Sequence, residues 1–542
     1  MRTPLWWLCY ATWAIVSIYI AWRIDCDVPE PYMDEIFHVP QAQAYCNGDW
    51  SYWDPALTTP PGLYLIPASL AHLGRWTGLS HLLPDPCSVS GLRAFNLVLS
   101  LGLPFLYSSL LALLDPQPPS PQPAKGKPSY LRRTDAAARR EWEGLVVALF
   151  PMVGWWAWMF YTDLGSVALV LLSWRAALKR QYMASAMLGA GSLSFRQTNI
   201  VWLAFIAAQA AICSVVQAEQ ARRPGEGGGT EADPPLRNVR LVDVVLVPAR
   251  LLVLAGRHLP TALLVAAAYL PVFLAAAAFV RWNGGIVLGD KSNHVPTVHL
   301  AQVFYFLAFA GGFFAPHLAS VRRTRQALVG SFRSPGRAIG SCLVLVCMAY
   351  AIRYYTIAHP FLLADNRHYA FYLWRRVINV HPVARYALVP GYFVVARLLW
   401  IHLAAAGKMS LSTLVLGLGA TCAVLVPTPL LEPRYFLTPL LILRLYLSSE
   451  AGAERAAGMG YTAAARGATT TPTIRGQPRL ADPGSRRRRL ALEAGLYLVV
   501  QAACVWLFLS RPFQWDIRVG ADGRGLEGRD ERELGRWQRF MW

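Results

Sequence analysis

The sequence predicts an all-α protein that crosses a membrane a dozen or more times. Three observations carry this expectation. Hydrophobic residues make up 55% of the 542-residue chain and charged residues only 15%, below the roughly 25% charge usual for soluble domains. Apolar runs recur along the whole length, each near the ~20 residues a helix needs to cross a bilayer. Lys and Arg collect in alternate connecting segments, as in the cytosolic loops of multi-pass proteins.

The apolar runs place spans near 5–22, 91–114, 144–161, 163–176, 183–195, 199–216, 259–281, 299–317, 339–357, 383–403, 409–427, 436–449 and 490–510. Twelve to fourteen transmembrane helices are expected from them. The runs at 62–75 and 242–256 are shorter or less clean and read as interfacial or re-entrant. The first run carries four tryptophans and no small-residue cleavage pattern, so it is expected to stay as an anchor. No repeat of solenoid length is present, and residues 1–542 read as one polytopic domain.

A net charge of +20 would suit nucleic acid, but its distribution excludes that partner. The basic residues lie at Lys125–Arg140, Lys179 and Arg180, Arg222–Arg257, Arg322–Arg337 and Arg455–Arg489, where they report orientation. Those loops are placed in the cytosol. Three of them, 115–142, 217–240 and 450–488, are rich in Pro, Gly, Ala and Arg and are expected to be flexible. The remaining loops, led by 23–90, face the other side and hold most of the acids, histidines and polar aromatics. One active face is expected there, on the lumenal side.

The first of these loops holds the strongest constellation. Asp34 and Glu35 are adjacent carboxylates just beyond the first span. Acids at a membrane surface cost free energy unless they do chemistry or find partners. Read as a helix, Asp34, His38, Gln41 and Tyr45 share one face, although Pro40 is expected to break or kink it. Downstream, Trp53 and Asp54 offer a flat aromatic face and a hydrogen-bond acceptor, a pairing suited to a sugar ring. An interfacial aromatic belt is the plainer reading. The coincidence of two acids, a histidine and the aromatic cluster favours function. Cys26, Cys46 and Cys87 share this loop, so one disulfide is open among them. Asp25-Cys26-Asp27 has a metal-binding D-x-D spacing, but no glycine-rich phosphate loop or soluble α/β domain accompanies it. It reads as a helix-end charge pair, and no metal or cofactor is expected.

Later loops add candidates. Arg196 sits between two half-length apolar stretches and needs an anion, either an internal acid such as Asp163 or a ligand phosphate. Asp365-Asn366-Arg367-His368 places a guanidinium fork beside a histidine, a set suited to phosphate oxygens. Gly289 to His294 is placed to reach the site from its own loop, and Glu432-Pro433-Arg434 reads as a structural ion pair starting a helix. A transporter would also bury charge in a membrane, yet it would place it near the midplane, often in inverted repeats. Here the polar residues crowd one face.

Taken together, YMDEIFHVPQAQAYC, WDPALTTPPGLYL, SFRQTNIVW, NGGIVLGDKSNH, LLADNRHYAFYLWRR, EPRYFLTPLLILRL and QRFMW resemble the dolichyl-phosphate-glucose-dependent α-1,2-glucosyltransferases of the endoplasmic reticulum. The resemblance runs from near residue 31 to 542 and departs chiefly in the three long basic loops. It implies a GT-C type glycosyltransferase fold, a lumenal active site in the endoplasmic reticulum membrane and no metal. It also implies dolichyl phosphate glucose as donor, a dolichol-linked oligosaccharide as acceptor and inversion at the transferred sugar. Asp34 then takes the acceptor proton, and Glu35 holds the acceptor or tunes Asp34, with the choice of base between the two acids left open. Arg367, His368 and Arg196 bind the donor phosphate, while Trp53, Asp54, His38, Asp365 and Asn366 contact sugar.

Overall fold

A computed structural model describes residues 2–78, 85–115, 129–222, 232–292, 295–447, 483–515 and 535–542. The described residues are helical, with only three isolated β-bridges among them. Among the described residues, seven helices are long and apolar enough to cross a bilayer: Pro4–Asp27, Val89–Leu114, Asn199–Arg222, Leu259–Asn283, Pro335–Tyr354, Ala384–Ala406 and Arg486–Ser510. Pro151–Ala157 and Thr162–Leu178 make an eighth if counted as one broken span, bent by 117°. The fold is that of an all-α, multi-pass membrane protein.

The expected twelve to fourteen spans are not all full-length helices. Four of the apolar runs form Tyr182–Leu193, Ala301–Phe313, Leu411–Leu425 and Leu437–Leu447, of 12, 13, 15 and 11 residues. At 1.5 Å per residue they reach roughly 16–23 Å, short of a ~30 Å hydrocarbon layer. Leu437–Leu447 buries nearly every side chain. An apolar run enclosed by protein has no bilayer thickness to match, so hydropathy alone does not set helix length. The basic 115–142 segment is described in part. Residues 129–142 belong to the Ser129–Ala148 helix, where Arg139 and Arg140 reach Asp115 at 3.1 and 3.2 Å. Residues 116–128, 223–231 and 448–482 of the basic loops, with Asn293 and His294, lie outside the described residues.

Val89–Leu114 is the hub. It packs against Pro4–Asp27, Ser129–Ala148, both halves of the broken span and Leu437–Leu447. Ser88 starts it by accepting the Gly91 N–H at 3.1 Å. Most buried apolar residues form one continuous core. A second, smaller cluster joins Val39, Leu63, Tyr64, Phe160 and Phe195 beneath the first polar loop.

That loop is a folded unit. Glu35–Cys46 is one helix, and Pro40 lies inside it without ending it, contrary to the expected break. Its buried face packs on the Gly62–Thr77 helix, which supplies the stabilisation a lone helix with an interior proline would lack. Cys46 and Cys87 form the disulfide, tying the end of the helix to the start of the hub across 41 residues.

Candidate active site

Asp34 is aimed by its backbone. Met33, just before it, adopts φ 56°, a left-handed conformation that a side chain of this size rarely takes and that clusters at functional sites. Asp34 then occupies the N-cap position of Glu35–Cys46, but its carboxylate does not cap the helix. Instead, Oδ2 accepts from Arg434 Nη1 at 2.6 Å, leaving 38% of the side chain exposed. The Asp34 N–H donates to the Tyr161 hydroxyl at 3.1 Å. Arg434 also donates through Nε to Glu432. The expected Glu432–Arg434 pair at a helix start is therefore real, opening the short Pro433–Phe436 helix, yet the same guanidinium reaches Asp34 as well. A small cleft opens here, lined by Asp34, Trp156, Tyr161, His368, Glu432, Pro433, Arg434, Met541 and Trp542.

Charge in the cleft is set by neighbours. Burial acts to raise the Asp34 pKa, but Arg434, then His38 and His368, more than offset it and bring the carboxyl down to about 2. Asp34 is thus ionised at neutral pH. His38 behaves oppositely: burial outweighs the attraction of Asp34 and holds the imidazole at about 4, so it is neutral. Its Nδ1 lies 2.6 Å from the Tyr64 hydroxyl.

The structure separates the two adjacent acids. Glu35 is fully buried and faces away from the cleft. Arg93 donates to it through Nε at 3.0 Å and Nη2 at 2.6 Å, and the N–H groups of Tyr32 and Phe160 donate at 3.1 and 2.7 Å. Phe160 lies in the break between the two halves of the bent span. Asn96 holds the same break, its Nδ2 donating to the carbonyls of Met159 and Tyr161 at 2.7 and 2.8 Å. A broken helix inside a membrane protein needs such partners for its unpaired backbone. Arg93 also takes Asp25 at 2.9 Å, while Asp27 pairs with Arg23 at 3.0 Å. The two acids of the D-x-D triplet thus have separate cationic partners. Among the described residues, no three His, Cys, Asp or Glu side chains converge as metal ligands.

Of the second expected cluster, His368 alone lines the cleft. Its Nδ1 sits 2.8 Å from the main-chain oxygen of Trp542; that oxygen accepts, so Nδ1 carries the proton. Arg367 is 7% exposed and occupied by Asp365 at 2.7 Å, by Gln538 Oε1 at 3.0 Å and by the face of Trp515. Asn366 accepts from Trp515 Nε1 at 2.8 Å. Asp365, Asn366 and Arg367 thus fasten the segment that carries His368. The last residues complete the fastening, with the Met541 N–H donating to the Arg367 carbonyl at 2.9 Å and the Tyr369 N–H to Met541 at 3.0 Å.

Arg196 finds the internal acid of the two alternatives, meeting Asp163 at 2.9 Å. It stays close to the site, since Arg196 and Arg434 both lie over the Tyr435 ring at 5.5 and 5.6 Å. Trp53 packs edge-on to Tyr64, and Asp54 accepts the Ala56 N–H at 2.9 Å to close a turn; neither lines the cleft. The 284–292 loop docks on the same turn, the Asp290 N–H donating to the Pro55 carbonyl at 3.0 Å.

Tyr161, Trp156, Met541 and Trp542 were not legible as site residues. The first two fall within a run that hydropathy reads as one span, and the last two lie at the far end of the chain. The assembled cleft joins an ionised, partly exposed carboxylate to a guanidinium and an imidazole between aromatic walls. Such a set can accept a proton on one side and stabilise a departing anion on the other.

The sequence model described as the DIE2/ALG10 family matches residues 28–445. A curated Arabidopsis thaliana protein named "Dol-P-Glc:Glc(2)Man(9)GlcNAc(2)-PP-Dol alpha-1,2-glucosyltransferase" is 33% identical over 479 residues, covering 80% of this chain and 90% of its own. Proteins of the same name from Mus musculus and Homo sapiens are 33% and 30% identical, each covering 95% of this chain and 93% of their own. No solved structure matches the chain.

Proposed function

The chain belongs to the DIE2/ALG10 family, and from that membership we propose that it is the α-1,2-glucosyltransferase that completes the dolichol-linked oligosaccharide. The donor is dolichyl phosphate glucose and the acceptor carries two glucoses, as the names of its relatives state for those proteins. The reaction takes place at the lumenal face of the endoplasmic reticulum membrane. The basic segments support this orientation, because Arg322, Arg323 and Arg325 on the Val321–Phe332 helix and Arg486 to Arg489 belong to the loops assigned to the cytosol.

The Asp34–Arg434 pair in the cleft carries the mechanistic reading. The 2-hydroxyl of the acceptor's terminal glucose attacks C1 of the donor glucose. The C1–O bond to phosphate breaks and its electron pair leaves on the phosphate oxygen. The hydroxyl proton passes to the Asp34 carboxylate, giving an α-glucoside from a β-linked donor and releasing dolichyl phosphate. Direct displacement needs a base on one face of the sugar and charge stabilisation on the other. Arg434 and His368 meet the phosphate, with Arg196 adding positive potential behind Tyr435. Glu35 and Arg367 are positioning residues, the first for Asp34 and Tyr161, the second for His368. Trp156 and Trp542 offer ring faces to sugar, and Trp53, Asp54 and His38 shape the loop above. The proposed step needs no metal, with the Arg434 guanidinium as the fixed positive charge and His368 as a hydrogen-bonding partner beside it.

Lipid analysis of cells whose sole copy carries Asp34→Asn tests the reading. Oligosaccharide with two glucoses accumulates and the three-glucose form disappears. Normal three-glucose product in those cells would reject Asp34 as the base.

A further inference from the structure

We propose that Arg434 changes partner when the donor binds, its guanidinium passing from Asp34 to the donor's phosphodiester and so releasing the carboxylate to take the acceptor's proton. This rests on the reading of Asp34 as the base.

The geometry of the pair shows why such an exchange is needed. Asp34 Oδ2 accepts a charge-assisted bond of 2.6 Å from Arg434 Nη1. A carboxylate held in this way has a lone pair engaged and a weakened proton affinity, which is the wrong state for a base. Glu432 grips the same guanidinium through Nε, so the Arg434 side chain stays tethered when Nη1 lets go. His368 and Trp542 border the same small space, leaving a phosphate nowhere to lie in the cleft that is remote from Arg434. One guanidinium is then offered two anions. Phosphate binding and Asp34 release become the same event, so the base acts only once the donor is seated. Premature abstraction of a proton from water or an unpaired acceptor is suppressed.

Two ligands competing for one group must show reciprocal coupling. Neutralising Asp34 leaves Arg434 unclaimed, and the phosphate site gains what the ion pair withheld. The probe is dolichyl phosphate, measured by direct binding to the purified full chain in lipid nanodiscs. The variants are wild type, Asp34→Asn, Arg434→Gln and the double variant. Asp34→Asn should bind dolichyl phosphate on the order of tenfold more tightly than wild type, and Arg434→Gln more weakly. In the Arg434→Gln background, Asp34→Asn should add little, because no guanidinium is left to release. Arg434→Met provides a second neutral background should Arg434→Gln fail to fold. Equal affinity in wild type and Asp34→Asn overturns the exchange. An equal gain with and without Arg434 also overturns it, since simple repulsion by Asp34 would then account for the effect. Transfer assays on Asp34→Asn keep the two readings apart: retained activity rejects Asp34 as base, whereas lost activity with unchanged dolichyl phosphate affinity rejects only the exchange.

Discussion

The backbone N–H of Phe160 donates to Glu35 Oε1 at 2.7 Å, and this bond ties the first polar loop to the break in the Pro151–Leu178 span. Through it, the placement of Asp34 depends on its neighbour. Glu35 fixes the turn that follows Tyr32 and the bend that presents Tyr161, whose hydroxyl then receives the Asp34 N–H.

Replacing Glu35 should therefore act on stability first. Glu35→Gln leaves Arg93 buried with half its counter-charge removed, and breaking a buried pair in this way costs about 3–5 kcal/mol. The expected outcome is a clear drop in the thermal midpoint of the purified protein and in its steady-state level. A midpoint unchanged from wild type, with activity lost, would instead make Glu35 a direct participant.

Asp34→Asn should show the reverse profile. The Asp34 side chain is partly exposed and its pair with Arg434 lies at the cleft, so the stability change should stay within about 1 kcal/mol. Glucose transfer should fall by at least ~100-fold, the usual cost of removing a general base. A thermal melt and a transfer assay on one preparation check both halves.

The contrast explains what could be read from the chain itself. Two adjacent acids at a membrane surface were visible as an anomaly, and the anomaly was real for both, but only one faces the cleft. Sequence adjacency does not say which side of a helix start each carboxylate leaves. Arg434 was visible as half of a Glu432–Arg434 pair, while its contact with Asp34 joins residues 400 positions apart. Arg367 shows the same limit: a guanidinium fork beside a histidine suits phosphate, yet Asp365 two residues before it satisfies that fork locally. Apolar composition fixed the membrane class, because it needs no partner to be read. It does not tell a full-length span from a short apolar helix, because lipid and protein present the same apolar surroundings to an 11- to 15-residue helix.

Stability should fall as pH drops through the mildly acidic range. Unfolded His38 takes its proton near its ordinary 6.5, whereas the folded residue does so only at about 4. Between those values the unfolded state binds more protons, so stability present above pH 6.5 is lost toward pH 4, by roughly 3 kcal/mol. Asp34 adds a further loss in the same direction, confined to the interval between its ordinary 3.8 and about 2. Thermal midpoints of wild type and His38→Gln across pH 4–7 check this. The variant should show the flatter profile.

Gly289 is the point at which the 284–292 loop rests on the Trp53–Thr58 turn. A Cβ built there would lie 2.3 Å from the carbonyl oxygens of both Pro55 and Leu57, and backbone cannot yield as a side chain end can. Gly289→Ala should therefore lift the loop or shift the turn, with a stability cost of about 1–3 kcal/mol. Neither the 284–292 loop nor the Trp53–Thr58 turn carries Asp34, so kcat for bound substrates should suffer less than apparent affinity for the oligosaccharide acceptor. Gly340→Ala is the control, because its Cβ would meet nothing within 4 Å. If both substitutions leave the midpoint and the acceptor KM unchanged, the contact between the 284–292 loop and the first polar loop does not organise the site; a change in Gly289→Ala alone ties acceptor binding to that contact.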